Sequence, residues 1–288
     1  MSFLNKVVSC NRRDLRRFVP FSIAGIQYGW LTPPRAAALL AHRAVFQPSA
    51  GNGVALNPEL STPRARSRAF ARITPALVDT GLFQKPRGEL YAVKNHWSDD
   101  SAFSIDRAHV PNFGLRAYGV HLNGVVYTPK GPRLWIGTRA DHLQVAPGQL
   151  DNMVAGGQPA DLSLMDNLVK ECDEEAHLKP RLVRTAQPVG AISYSFESPQ
   201  GLRVDTLFCY DLSMPSTVAP KASEEISRFE LMRLSAVLKL IRDTDRFKFN
   251  VNLVILDFAI RHGVITAENE PDFERIVAGL HERPQHIV

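Results

Sequence analysis

The stretch GGQPADLSLMDNLVKECDEEAHL, residues 156–178, decides how this chain is read. Its second half carries Glu171, Glu174 and Glu175. On a helix, positions i, i+3 and i+4 share a face, so these carboxylates project together while Asp173 turns toward solvent. Leu164, Leu168 and Cys172 recur at i, i+4 and i+8 and give the same helix a buried side. Like charges crowded on one face repel and cost helix stability. A hard divalent cation removes that repulsion, since Mg2+ takes a few carboxylates, water and phosphate oxygens. A solvated acidic face has the same charges. What separates the two readings is the pair Gly156-Gly157, which begins fourteen residues before the basic Lys170.

In this register the stretch resembles a Nudix box, G-x5-E-x7-R-E-U-x-E-E-x-G-U with U aliphatic, the mark of hydrolases of diphosphate-linked compounds. Gly156 takes the first glycine and Cys172 the aliphatic position. Leu162 stands where the box has its first glutamate, Lys170 replaces arginine, and His177 replaces the late glycine. Lysine keeps the charge but loses the planar fork that can hold a glutamate. His177 must accept the backbone geometry that glycine would supply.

The resemblance runs well beyond the box. FGLRAYGVHLNGVVY (113–127), LWIGTR (134–139) and PGQLDNMVAGGQPADLS (147–163) are similar to one Nudix subfamily. Its members carry an N-terminal domain of unknown function and are related to the thiamine pyrophosphokinase-associated Nudix proteins. CNRRDLRRFVPF (10–21), GIQYGWLTP (25–33) and FKFNVNLVILDFAIRHG (247–263) extend the likeness over nearly the whole chain. It implies an α/β fold: a Nudix α/β/α sandwich with a mixed sheet, preceded by a smaller α+β domain. The expected division is 1–105 and 106–288.

The resemblance also implies a metal-dependent hydrolase of a small organic diphosphate. Thiamine diphosphate or its oxidised analogues are the implied substrates, cut to the monophosphate and phosphate. Glu171, Glu174 and Glu175 would hold Mg2+ or Mn2+, with Lys170 beside them. Glu225 matches the glutamate of a D-G-E-V-like stretch in the subfamily and is the candidate loop carboxylate; Ser223 and Glu224 depart from that pattern. Gly156 and Gly157 would border the substrate. His121 lies in the matched pattern G-V-H-x-N-G and ranks above Arg116 as a strand contact. Alternation puts Arg116 and His121 on opposite faces. Tyr28 and Trp30 could stack on a ring, or simply pack a core.

Composition is that of an ordinary globular protein: 44% hydrophobic and 22% charged over 288 residues, enough for one large core or two smaller ones. Cys10, Cys172 and Cys209 are far apart, with neither zinc spacing nor a disulfide framework. No apolar run approaches bilayer length, and cytoplasmic residence is expected. The net charge is +5, and residues 1–58 hold seven Lys or Arg against the single acid Asp14. That basic start could be a transit peptide or a nucleic-acid face. The reading preferred is a folded domain that attracts phosphate-bearing ligands. The expected partner is a small-molecule diphosphate; no membrane is expected, nucleic acid ranks last, and a homodimer is left open.

The pattern predicts a short helix from Asn11 as cap, paired strands in FSIAGIQYGWL (21–31), and a helix over Pro34–Phe46. Residues 48–62 read as a loop, Arg64–Leu82 as helix, Glu89–Val93 as a strand and His96–Ser104 as the interdomain hinge. Strands are expected at AYGVHLNGVVYT and RLWIGTRA, a loop at Pro147–Leu162, the acidic helix at Leu164–His177, and strands at Ala186–Ser195 and Arg203–Leu212. Pro215–Ser223 reads as a loop, SRFELMRLSAVLKLIRD (227–243) as one amphipathic helix, and Asn250–His262 as a buried helix closed by Gly263. Two function classes stand beside each other. The intact acids favour an enzyme; Leu162 and His177 favour a Nudix-shaped binding or regulatory module.

Overall fold

The computed structural model describes residues 2–282. Helix α1 (Phe3–Ser9) opens the chain, capped by Ser2, whose hydroxyl accepts from the Asn5 amide. Asn11 caps nothing; Asp14 instead caps a single 3-10 turn at Leu15–Arg17. The Asn11 amide group bridges helices, donating to the carbonyls of Val7 and Gly279. Strands β1 (Val19–Ile23) and β2 (Ile26–Leu31) form the expected hairpin. Helix α2 (Pro33–Leu40) stops six residues short of Phe46, because 46–56 is needed in the sheet. There β3 (Phe46–Ser49) and β4 (Gly53–Leu56) run into the first half of the expected loop and complete a sheet of order β2-β1-β4-β3. Helix α3 (Pro63–Asp79) closes over it with Ala69, Phe70, Ile73 and Leu77. A hairpin follows, β5 (Leu90–Val93) with β6 (Phe103–Asp106). The expected hinge is therefore the loop and second arm of a hairpin.

The second sheet has the order β11-β12-β7-β8-β13, built from β7 (Arg116–Thr128), β8 (Gly131–Arg139), β11 (Gln187–Ser198), β12 (Gly201–Ser213) and β13 (Ile226–Arg233). Two short strands lie inside the expected loop 147–162: β9 (Leu150–Asp151) on β8 and β10 (Val154–Gly157) on β7. Only β12 and β7 run parallel among the main pairs, so the sheet is mixed. Helices α4 (Leu164–Ala176) and α5 (Pro180–Val183) cover one face, and α6 (Leu234–Asp243), α7 (Val251–Arg261) and α8 (Phe273–Leu280) the other. This is the α/β/α sandwich that the sequence implies. The run 227–243 is half strand and half helix: SRFELMR pairs with β8, and only LSAVLKLIRD coils. β13 leaves Ser227, Arg228 and Glu230 to solvent, and that surface alternation hides within a helix-like apolar count.

The basic start does not belong wholly to the first domain. Phe3, Leu4, Val7 and Cys10 pack with Val237, Val254, Phe258 and Ile276 in the core beneath the second sheet. Residues 1–105 thus reach the second domain through α1, through the β5–β6 hairpin, and through Phe18 and Trp30, which pack with Leu202 and Val204 of β12. Leu4→Ala should cost about 2–4 kcal/mol, the usual penalty for emptying a core leucine site. The measurement is urea unfolding of the full chain. A shift within about 0.5 kcal/mol, the range of surface substitutions, would show that α1 is only loosely laid on.

Candidate active site

Helix α4 starts at Ser163, whose hydroxyl accepts from the Asp166 amide, and ends at His177 in the left-handed region at φ 51°. Histidine thus holds the glycine geometry of the box. Leu168 and Cys172 are buried as their spacing predicts. The adjoining side faces strand β10 and the loop behind it, to which the helix is stitched. Asn167 Nδ2 donates to the Gly157 carbonyl at 2.8 Å and to Gln158 Oε1 at 3.1 Å. Gln158 Nε2 donates onward to the Leu162 carbonyl at 2.7 Å. At the far end Glu175 Oε2 accepts from the Ala155 amide at 2.9 Å.

The glycine pair makes this approach fit. A Cβ on Gly156 would collide with the Glu171 carboxyl group, and one on Gly157 with the Tyr91 hydroxyl. Neighbouring residues of a strand face opposite ways, so one glycine admits the helix and the other admits the hairpin. The two sides meet electrostatically as well, since Glu89 of the hairpin adds to the negative field at Glu171.

The three carboxylates have different surroundings. Glu174 is 57% exposed; Glu175 is buried at 4%. Lys170 Nζ lies 3.1 Å from Glu171 and 2.9 Å from Glu174. Burial works against the Lys170 charge, yet its bonds to Glu174 and Glu171 hold its pKa above the ordinary value. Burial raises the Glu171 pKa, with Lys170 opposing. Burial raises that of Glu175 much further, reinforced by Asp151 and opposed by the Ala155 amide. Among the described residues, no three carboxylate, histidine or cysteine groups converge on one point. The donor chemistry still fits a hard divalent cation: Glu175 is a buried oxygen donor whose charge has no directly bonded cation, and Glu171 stands beside it over a glycine.

Behind Glu175 lies a buried charged cluster that the sequence reading missed. Asp151 accepts from Arg139 at 2.9 Å and Lys248 at 3.2 Å. Burial pushes the Asp151 pKa up, but Lys248, His121 and Arg139 outweigh it and hold it low. His121 belongs to this cluster, hydrogen-bonded to Asn152 at 2.8 Å. Arg116 faces the other way, donating to Thr206 at 3.2 Å. Neither strand residue lies on the open surface; both are buried. Glu225 stands exposed just before β13, its carbonyl accepting from the Ala140 amide.

Trp30 is 4% exposed and packs with Phe18, Leu202 and Val204. Tyr28 packs against the core of the first sheet. Of the two expected ring contacts, Trp30 is thus a core residue and Tyr28 is half-buried against a core. The aromatic groups that do border a cavity next to the box are Tyr91, Trp97 and Tyr118. Trp97 falls within the segment read as a hinge, where neither periodicity nor a motif marks it.

A family model described as "Domain of unknown function (DUF4743)" matches residues 2–117. The chain is 39% identical over 271 residues to "Nudix hydrolase 24, chloroplastic" of Arabidopsis thaliana, covering 93% of this chain and 74% of that protein. It is 38% identical over 278 residues, with the same coverages, to "Nudix hydrolase 20, chloroplastic" of the same plant. Among solved structures, the MutT protein of Methanosarcina mazei Go1 matches 51% of this chain and 95% of its own, at 16% identity and a TM-score of 0.39. The chain belongs to the Nudix hydrolase family, as a Nudix-type pyrophosphohydrolase. No helix of the described residues is long and apolar enough to cross a membrane.

The cluster around His121 has a measurable signature. Burial and Lys248 lower its pKa from 6.5 to about 4. Between those values the unfolded chain binds a proton that the folded one refuses, so stability rises with pH across that window. Melting temperature followed from pH 4 to 7 should climb less steeply in His121→Gln than in the wild type. Equal slopes would remove His121 from the acid sensitivity of the fold.

Proposed function

We propose that Glu171, Glu174 and Glu175 hold Mg2+ or Mn2+ and that the chain hydrolyses the diphosphate linkage of a small organic substrate. Thiamine diphosphate and its oxidised analogues are the proposed substrates, through the subfamily likeness. Water adds to phosphorus, the bridging P–O bond breaks, and the products are the monophosphate and phosphate. The observation that supports this most is the unequal burial of the acids: Glu175 deep and anchored to Ala155, Glu174 open to solvent. Such a set offers one fixed donor and one that can turn toward an ion. The bound ion supplies charge neutralisation on the phosphoryl oxygens and a lowered pKa for water.

The protein supplies the rest. Glu171 is the proposed inner carboxylate over Gly156. Glu225, exposed on the turn before β13, is the proposed loop base that takes the proton from water. Lys170 supplies countercharge to two of the acids. Leu162 and Lys170 remove supporting contacts from the box. A lost contact to a charged group costs about 1.5–3 kcal/mol, or roughly ten- to a hundredfold in rate. Enzymes commonly exceed the uncatalysed rate by far more than that, so turnover survives the departures.

The test is phosphate release with Mg2+ and Mn2+ on thiamine diphosphate, its oxidised analogues, nucleotide sugars, dinucleotides and nucleoside triphosphates. Glu175→Gln should abolish release while keeping the Ala155 bond through its amide oxygen. It should also raise the melting temperature of the metal-free protein. An unfolded glutamate ionises near 4.5, but folded Glu175 resists ionisation to a higher pH. The folded state therefore holds a proton the unfolded state has lost, and wild-type stability falls as pH rises through that range. A Gln variant with full metal-dependent activity takes Glu175 out of the site. If wild type and Glu171→Gln are indistinguishable on every compound, the binding-module reading replaces the hydrolase.

A further inference from the structure

The cavity beside the box is built from three parts of the chain. Tyr91, Ala92, Lys94 and Trp97 come from the β5–β6 hairpin, Tyr118 from β7, and Gln158, Pro159, Ala160 and Leu162 from the loop before α4. Its volume is about 140 Å³. Pockets that enclose a whole drug-sized ligand run to about 300–1,000 Å³, so this one takes a single part of a larger molecule. Its walls are mostly aromatic and aliphatic. Trp97 meets Tyr118 and Phe208 edge-on, with ring centroids at 5.3 and 5.2 Å, and remains 37% exposed. Lys94, whose Nζ stands 5.1 Å from the Trp97 ring, is the charged group in the lining.

The cavity is held open before any ligand arrives. Asn95 Nδ2 donates to the Gln27 carbonyl at 2.9 Å, tying the Trp97 loop to the first sheet. The Ala160 amide donates to the Leu90 carbonyl at 2.8 Å, tying the hairpin to the box loop. Gln158 spends its amide on Leu162 and Asn167 and so braces the wall. Leu162 thereby acquires a role. Where the box has a carboxylate, this chain places an apolar side chain in the wall of an aromatic cavity.

We propose that the cavity bounded by Tyr91, Trp97, Tyr118 and Leu162 binds the flat heteroaromatic ring of the substrate, while the diphosphate extends along the same loop toward Glu171. Trp97 is its principal stacking group and Lys94 the donor at its rim. The diphosphate half of this assignment rests on the hydrolase reading; the ring half does not. The N-terminal region is then a specificity element, because three of the proposed contacts to the ring lie on its hairpin.

Calorimetry on the metal-free full chain tests the ring site without turnover. Thiamine monophosphate and AMP serve as ring-bearing probes and ribose 5-phosphate as the ringless one. At least one ring-bearing probe should bind wild type more tightly than ribose 5-phosphate. Loss of a stacking side chain weakens binding roughly five- to a hundredfold, so Trp97→Ala should weaken that probe by about tenfold or more. Ala160→Phe, which fills the cavity from an exposed loop position and leaves the aromatic cluster intact, should do the same. Unaltered affinity in Ala160→Phe, or no preference of wild type for a ring, overturns the proposal. A wild type that binds a ring in this way but releases no phosphate in the substrate screen leaves the ring site standing and removes only the hydrolase reading.

Discussion

Helix α4 and the β5–β6 hairpin can both lie against strand β10 only because positions 156 and 157 carry no side chains. The Glu171 carboxyl group occupies the space above one glycine, and the Tyr91 hydroxyl the space beyond the other. A side chain at 156 would move the carboxylate; one at 157 would move the hairpin. The acidic helix and the N-terminal region therefore take their positions from the same two residues. The hydrogen bonds from Asn167 and to Glu175 then fix the helix at both ends against backbone that the glycines have opened.

Charge is arranged in depth around that contact. Lys170 pairs with the mostly buried Glu171 and with the exposed Glu174, and the exposed pair contributes little to stability. Inside, Arg139 and Lys248 converge on Asp151. A buried pair of this kind is weak evidence for stability but costly to break, since removing a partner strands a charge. Lys248 also draws the buried Glu175 toward ionisation, yet burial first and Asp151 second outweigh it and push that carboxyl toward its protonated form. The interior is thus balanced for the fold and leaves Glu175 under-neutralised. That fits the same residue serving as a ligand to a cation.

The two halves of the chain are less separable than their sequences. Helix α1 completes the core under α6, α7 and α8, while the Trp97 loop rests on Tyr118 and Phe208 of the second sheet. The basic first segment is accordingly part of the scaffold of the catalytic domain. Some of its charge is spent internally: Arg13 pairs with Glu282 and Arg17 with Glu197.

The acidic helix, its buried stripe, the left-handed demand on His177 and the α/β/α class were all legible in sequence. The acidic face and its buried stripe follow from helical period. The demand on His177 and the α/β/α class follow from the likeness to the Nudix box and its subfamily, with His among the few residues that tolerate positive φ. Strands β13 and β3 were not, because an edge strand with mixed exposure has no period of its own and takes its form from the neighbour it pairs with, and β4 is a buried run of only four residues set among turn-forming residues. The same limit governed the site. Trp30 and Trp97 are both tryptophans of the first 105 residues, and burial is what separates them. Phe18, Leu202 and Val204 close around Trp30, whereas Trp97 stays open beside the box loop. Which carboxylate is deep and which is free was also decided by long-range packing: a helix period places three acids on one face, but the strand laid against that face determines which of them is buried.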